Sequence, residues 1–163
     1  MSEKQLGFHP EHNHSHCIEH AMEDARAMCK ARGLRFTPIR ELVLKTIWQS
    51  HKPLGAYELL PTLAASGFNS APPTVYRALE FLQEQGLVHR IALLNSFIGC
   101  PHPEKNHQGC FLICRECNNA VEIETQQIEG ALENQAKKYN FIPEQQSIEV
   151  LGLCPNCQKE ASE

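Results

Sequence analysis

No stretch of this 163-residue chain approaches the ~18 consecutive apolar residues that a membrane-spanning helix needs. The opening residues 1–16 are polar and lack the apolar core of a secretory signal, so a cytoplasmic protein is expected. There is no Ser-His-Asp order and no glycine-rich phosphate loop, which removes the common hydrolase and nucleotide-binding signatures. A hydrophobic share of 42% and a mean hydropathy of −0.38 describe an ordinary soluble globular chain, of one large domain or two small ones.

The net charge of −4 is unevenly spread. Residues 26–52 carry Arg26, Lys30, Arg32, Arg35, Arg40, Lys45 and Lys52 against Glu41 alone, while residues 104–163 hold ten carboxylates to five basic side chains. A basic block inside an acidic chain suits a local polyanion-binding face, although a solvated helix surface has the same composition.

Cysteine, by contrast, is plentiful and patterned. Cys114-Arg-Glu-Cys117 and Cys154-Pro-Asn-Cys157 each place two thiols on one tight turn. Four thiolates fill the shell of a tetrahedral zinc ion and leave no open position, so this zinc would be structural. A disulfide reading is weaker in a chain expected in the cytoplasm. A redox enzyme using the Cys154/Cys157 pair is the rival of another class. It lacks the helix that should follow such a motif, because only Gln-Lys-Glu and the chain end come after it.

The tract from Phe8 to His20 holds five of the nine histidines and Cys17. It reads either as a metal-binding segment or as a tail whose histidines have no defined role. A helix is expected from about Cys17 to Arg32, ended by Gly33. Thr37-Pro38 opens a second helix with an N-cap and a proline at the first position. A third covers Ala56 to Ala65, where Pro61 should remove one backbone bond and bend it.

The fourth helix opens at Ala71-Pro72-Pro73-Thr74 and stops at Gly86, with Val75, Leu79 and Leu82 toward the core. Thr74, Tyr76, Arg77 and Glu80 then face outward, as on a recognition helix whose first turn reaches base edges in the major groove. A half-buried core position is the plain alternative for Tyr76.

Strands at Leu87–Ile91 and Ser96–Cys100, joined by a tight turn near Leu94-Asn95, complete the order of a winged helix. That turn sets His89 directly opposite Cys100. Residues 101–109 read as a loop and boundary. Strands near Cys110–Cys114 and Ala120–Glu124, a helix capped by Thr125 and reaching Tyr139, and a strand over Ser147–Leu153 make a second, α/β domain. The expected fold class is therefore α+β. A tail spans 1–20, the winged helix 21–100, a hinge 101–109 and a zinc-stabilised domain 110–163.

Outside the two cysteine pairs, His89, Cys100, His102, His107, Cys110, Glu122 and Glu124 are candidate ligands. Two histidines, a cysteine and a glutamate would make a mixed site in which the thiolate favours zinc over iron(II) or manganese(II). A buried Cys100, a solvated Glu122 and two surface histidines would equally fit the spacing.

The chain resembles the ferric uptake regulator family, and within it the zinc uptake regulators. The resemblance covers nearly all of residues 22–157. It rests on Arg35-Phe-Thr-Pro-Ile-Arg40, Ala56-Tyr57, Pro72-Pro-Thr-Val-Tyr-Arg-Ala-Leu79, Gly86-Leu-Val-His89, Asn95-Ser-Phe97 and the two cysteine pairs with their flanks. Iron-sensing members usually carry a His-His-x-His-type run before the first pair. Here that place reads Lys105-Asn-His-Gln-Gly-Cys110, with one histidine.

The resemblance implies a homodimeric, metal-dependent repressor of zinc uptake rather than an enzyme, with an iron- or peroxide-sensing repressor as the near alternative. It implies two zinc ions per chain: one on Cys114, Cys117, Cys154 and Cys157, and a regulatory one on His89, Cys100, His107 and Glu122. Double-stranded, palindromic operator DNA is the implied partner. Tyr76 and Arg77, with Thr74 beside them, would meet bases, and Arg35 and Arg40 would meet phosphates. Because the regulatory ligands come from both sides of residues 101–109, metal would fix the spacing of the two DNA-reading heads of a dimer.

Overall fold

The computed structural model describes residues 8, 14–50, 52–104 and 109–160. They divide into two compact units, one within residues 9–106 and one formed mainly by residues 109–160.

The first unit runs α1 (His14–Ala31), α2 (Pro38–Gln49), α3 (Ala56–Ala65), α4 (Pro72–Glu84), β1 (Val88–Ile91) and β2 (Ser96–Gly99). α1 begins three residues earlier than expected, so residues 14–20, assigned to the tail, are helical. Ile18, Met22, Ala25 and Cys29 repeat at three- and four-residue spacing and pack into the core. Gly33, at φ +66, ends the helix. Its N–H bonds the Lys30 carbonyl and the Leu34 N–H bonds the Cys29 carbonyl, a pairing that needs the left-handed residue. Thr37 caps α2, its hydroxyl accepting from the Arg40 N–H at 3.5 Å. α3 carries through Pro61, which forgoes the bond its missing N–H would have given to Tyr57.

Val75, Ala78, Leu79, Phe81 and Leu82 of α4 lie on one buried face. With Val43, Leu44 and Ile47 of α2 and Leu59 and Leu63 of α3 they form the core of the unit. Fully burying each such aliphatic side chain contributes about 1.5–3 kcal/mol.

β1 and β2 pair antiparallel, but His89 is opposite Ile98 rather than Cys100. The register is shifted by two residues because the connection is the four-residue segment 92–95, with Asn95 left-handed at φ 47, rather than a two-residue turn. A shift of two preserves strand parity, so His89 and Cys100 keep a common face as diagonal neighbours. Leu54 adds an isolated bridge to Phe97, with N–H···O bonds of 3.0 and 2.7 Å in both directions. The three helices α2, α3 and α4 followed by this small sheet make a winged helix, with α1 preceding them.

The second unit contains β3 (Cys110–Cys114), β4 (Ala120–Glu122), α5 (Gln126–Lys137), β5 (Ile148–Gly152) and α6 (Pro155–Glu160). The sheet order is β4-β3-β5, with β3 antiparallel to β4 and parallel to β5. Thr125 occupies the N-cap of α5, as expected, but its hydroxyl donates to the Glu129 carboxylate instead of accepting from the first turn. Glu124 lies beyond the end of β4 and is exposed, so it does not share a strand face with Glu122. The short helix α6 follows Cys154, where the sequence suggested only a chain end.

Candidate metal centres and nucleic-acid interface

Cys114 ends β3 and Cys154 immediately follows β5 and its Gly152-Leu153 exit, so the parallel β3–β5 pairing brings the two cysteine turns together. The first turn is closed by the Asn118 N–H on the Cys114 carbonyl and the Cys114 N–H on the Asn119 carbonyl, both at 2.9 Å. Asn118 is left-handed there, at φ 58. The Arg115 N–H reaches the Gly152 carbonyl at 2.9 Å and pins this turn to β5.

The four sulfurs of Cys114, Cys117, Cys154 and Cys157 all lie within 4.8 Å of one another. Cys117 Sγ and Cys154 Sγ are 3.8 Å apart. Zn–S bonds of about 2.3 Å in a tetrahedron give sulfur–sulfur edges of about 3.8 Å. No disulfide joins any of the eight cysteines, all of them among the described residues, and one would demand about 2.05 Å.

The donors' electrostatics also suit a cation. Burial pushes the Cys114 thiol up, but backbone N–H groups of Cys117, Cys154 and Glu116 outweigh it and bring it down to about 6. The Cys154 N–H donates to Cys114 Sγ at 3.4 Å. Burial raises Cys117, and the hydrogen bond with Cys154 raises Cys157. Deprotonation is thus favoured at Cys114 and opposed at Cys117 and Cys157, a conflict that a dication resolves. The residues fit a structural zinc.

In the winged-helix unit, His89 is half-buried on β1 and Cys100 is 3% exposed just past β2. A ring nitrogen of His89 and the Cys100 sulfur lie within 4.8 Å of each other. The diagonal register therefore delivers the proximity that direct opposition was expected to give. Glu122 is half-buried on β4 of the other unit. Beside it, Cys110 is fully buried, and burial followed by the Glu122 charge raises its thiol. Cys110 stands outside the four-sulfur group. His107 lies outside the described residues.

On α4, Tyr76 is 45% exposed and Arg77 is exposed, with Thr74 half-buried in the same first turn. Tyr76 is thus not a core aromatic. Arg35 is exposed, whereas the Arg40 guanidinium sits 3.5 Å above the centre of the Phe81 ring and donates to the Arg35 carbonyl. Arg40 therefore holds α2 against α4 through a cation–π contact.

Tyr57, 67% exposed in the first turn of α3, lies beside Tyr76 across a shallow depression that Pro72 and Val75 also line. Sequence reasoning gives Tyr57 no role, since a tyrosine at a helical apolar spacing reads as core. Only the α3–α4 packing reveals two tyrosines presented side by side.

A winged helix with an exposed first turn on its fourth helix, joined in one chain to a four-thiol cluster, defines a metal-dependent DNA-binding regulator. The family model described as "Ferric uptake regulator family" matches residues 31–151, and the chain belongs to that family. It is 34% identical over 137 residues to the zinc uptake regulation protein of Escherichia coli K12, covering 83% of this chain and 80% of that protein. The solved structure of holo XcZur is 44% identical with a TM-score of 0.77, over 85% of this chain and 96% of that one. A zinc uptake regulator complexed with zinc and DNA is 32% identical with a TM-score of 0.84, over 90% and 98%. Among the described residues, no helix is long and apolar enough to cross a membrane.

Proposed function

We propose that this protein is a zinc-responsive transcriptional repressor that binds operator DNA as a dimer and controls zinc uptake. The likeness to a zinc- and DNA-bound zinc uptake regulator carries this reading. In it, zinc on Cys114, Cys117, Cys154 and Cys157 is structural. A second, regulatory zinc is held by His89, Cys100, His107 and Glu122. The sulfur and nitrogen of Cys100 and His89, already within 4.8 Å, support the second site, and a thiolate among its donors favours zinc over iron(II).

Two of these ligands precede the proposed hinge at 101–109, one lies in it and one follows it, so metal occupancy governs the freedom of the DNA-reading heads. By linkage, DNA must tighten zinc binding by the factor that zinc tightens DNA binding. A ~100-fold effect needs about 2.7 kcal/mol of coupling, well below the ~10 kcal/mol that zinc ligation supplies.

Tyr76 and Arg77, with Thr74 beside them, read bases, and Arg35 and Arg40 contact phosphate; Tyr57 joins Tyr76 at the same surface. Arg40 sets the placement of α4 through Phe81. For dimerisation, Val150 and Leu151 point to opposite faces of the edge strand β5, yet are 47% and 56% exposed. Leu132, Phe141 and Ile142 are also exposed in the same unit, and a second copy would cover part of this exposed apolar area. A palindromic operator follows from a twofold dimer, and such a repressor acts in the cytoplasm.

The test is selection of DNA from a random duplex library by the purified protein, with zinc, iron(II) or manganese(II) as the sole added metal. Enrichment of a palindrome with zinc alone supports the reading. Enrichment that requires iron(II), or that ignores metal, overturns it.

A further inference from the structure

The histidine tract has no part in either zinc site above, and α1 shows where its last members go. With 100° of rotation per residue, His16, His20, Asp24 and Cys17 fall at 0°, 40°, 80° and 100°, inside one narrow arc of the helix. This arc is distinct from the Ile18, Met22, Ala25 and Cys29 face that packs into the core. The four side chains line one cavity of about 220 Å³, whose far wall includes the apolar Trp48 and Pro101.

The chemistry of the arc is that of a metal chelate. His16 and His20 stand at i and i+4, the spacing with which two histidines on one helix face grip zinc. Cys17 adds a thiol on the same side. His20 Nδ1 lies 2.9 Å from an Asp24 carboxylate oxygen. That pairing commits Nδ1 to the carboxylate and leaves Nε2 as the donor toward metal, the arrangement by which carboxylates orient and strengthen ligating histidines. His20 and Asp24 side chains are 67% and 42% exposed, and the donors of this arc, which do not already lie within 4.8 Å of one another, come together by rotation of these side chains.

We propose that His16, Cys17 and His20 form a third zinc site on α1, oriented by Asp24, with its fourth position open to water. Three donors on an exposed helix bind zinc more weakly than four thiolates do, and the mixed sulfur–nitrogen set selects zinc over iron(II). The site is separate from one that uses Cys100, although Cys100 also lines the cavity.

The experiment is a zinc titration of the purified protein against a chromophoric chelator, with cobalt(II) as a spectroscopic probe and far-ultraviolet circular dichroism as the control on folding. His16→Ala/His20→Ala should lose one weakly held zinc equivalent. Cys17→Ser should lose the sulfur-to-cobalt charge-transfer absorption of that equivalent. Asp24→Asn should weaken it about ten-fold. The equivalent should persist in Cys100→Ser, and in His9→Ala/His12→Ala. Equal zinc uptake by the wild type and the His16/His20 variant would overturn the proposal. So would loss of the equivalent in Cys100→Ser, which would merge it with another site, or in His9→Ala/His12→Ala, which would assign it to residues before the helix.

Discussion

Replacing Cys154 by serine tests how the second unit is held together. Among the described residues, that unit fully buries only two large side chains, Phe111 at 1% exposure and Ile113 at 2%. At about 1.5–3 kcal/mol each they contribute roughly 3–6 kcal/mol. α5 has no buried residue at all. Zinc ligation by thiolates supplies about 10 kcal/mol or more, so metal outweighs the apolar core here.

Cys154 is itself buried, its sulfur is 3.8 Å from Cys117 Sγ and its N–H bonds Cys114 Sγ, so the change removes one tetrahedral vertex with little room for a substitute ligand. The first unit, with its core of α2, α3 and α4 side chains, has no such dependence. Calorimetry with zinc analysis should show the transition of the second unit lost or moved far down, about one zinc per chain released, and helical signal from the first unit retained. Sedimentation should show a weakened dimer. If Cys154→Ser keeps wild-type zinc content and melting behaviour, the four-sulfur site does not hold this unit and the reasoning fails.

Two predictions concern DNA. Arg77→Ala should weaken specific binding by about 1–3 kcal/mol, roughly 5- to 150-fold, with zinc content and dimerisation unchanged, as read by fluorescence anisotropy and sedimentation. Aggregation or zinc loss in that variant would make Arg77 structural. Affinity should also fall steeply with salt, because an acidic protein must attach through a local basic face and release counterions from phosphates. A log–log slope near zero would remove the phosphate contacts from the account.

Much of the architecture is legible from caps and periodicity. Thr37-Pro38, Gly33 and Gly86 mark helix ends, and α3 matches its expected span because the apolar spacing there is unambiguous. The cysteine pairs are legible for a simpler reason: their spacing is itself the geometry of a zinc-binding turn.

What the sequence obscures is set by tertiary context. Leu93 and Leu94 continue the apolar character of the strands, so the four-residue connection looks like strand and turn, and the register slips by two. The bridge at Leu54 involves one residue and leaves no periodic trace. The Thr125 hydroxyl can accept from the N–H groups of the first turn or donate to the Glu129 carboxylate, and local sequence does not decide for Glu129. The stacking of Arg40 on the Phe81 ring joins residues far apart in the chain and leaves no local trace.

The most direct test compares Cys100→Ser with the wild type, measuring zinc stoichiometry, oligomeric state and operator binding against buffered free zinc. The four-sulfur site is untouched by this change, so the variant should fold, dimerise and keep its structural zinc. Its DNA binding should no longer respond to zinc, and His89→Ala, His107→Ala and Glu122→Ala should behave in the same way. A Cys100→Ser protein that still binds its operator only when zinc is added would contradict the division into structural and sensing sites.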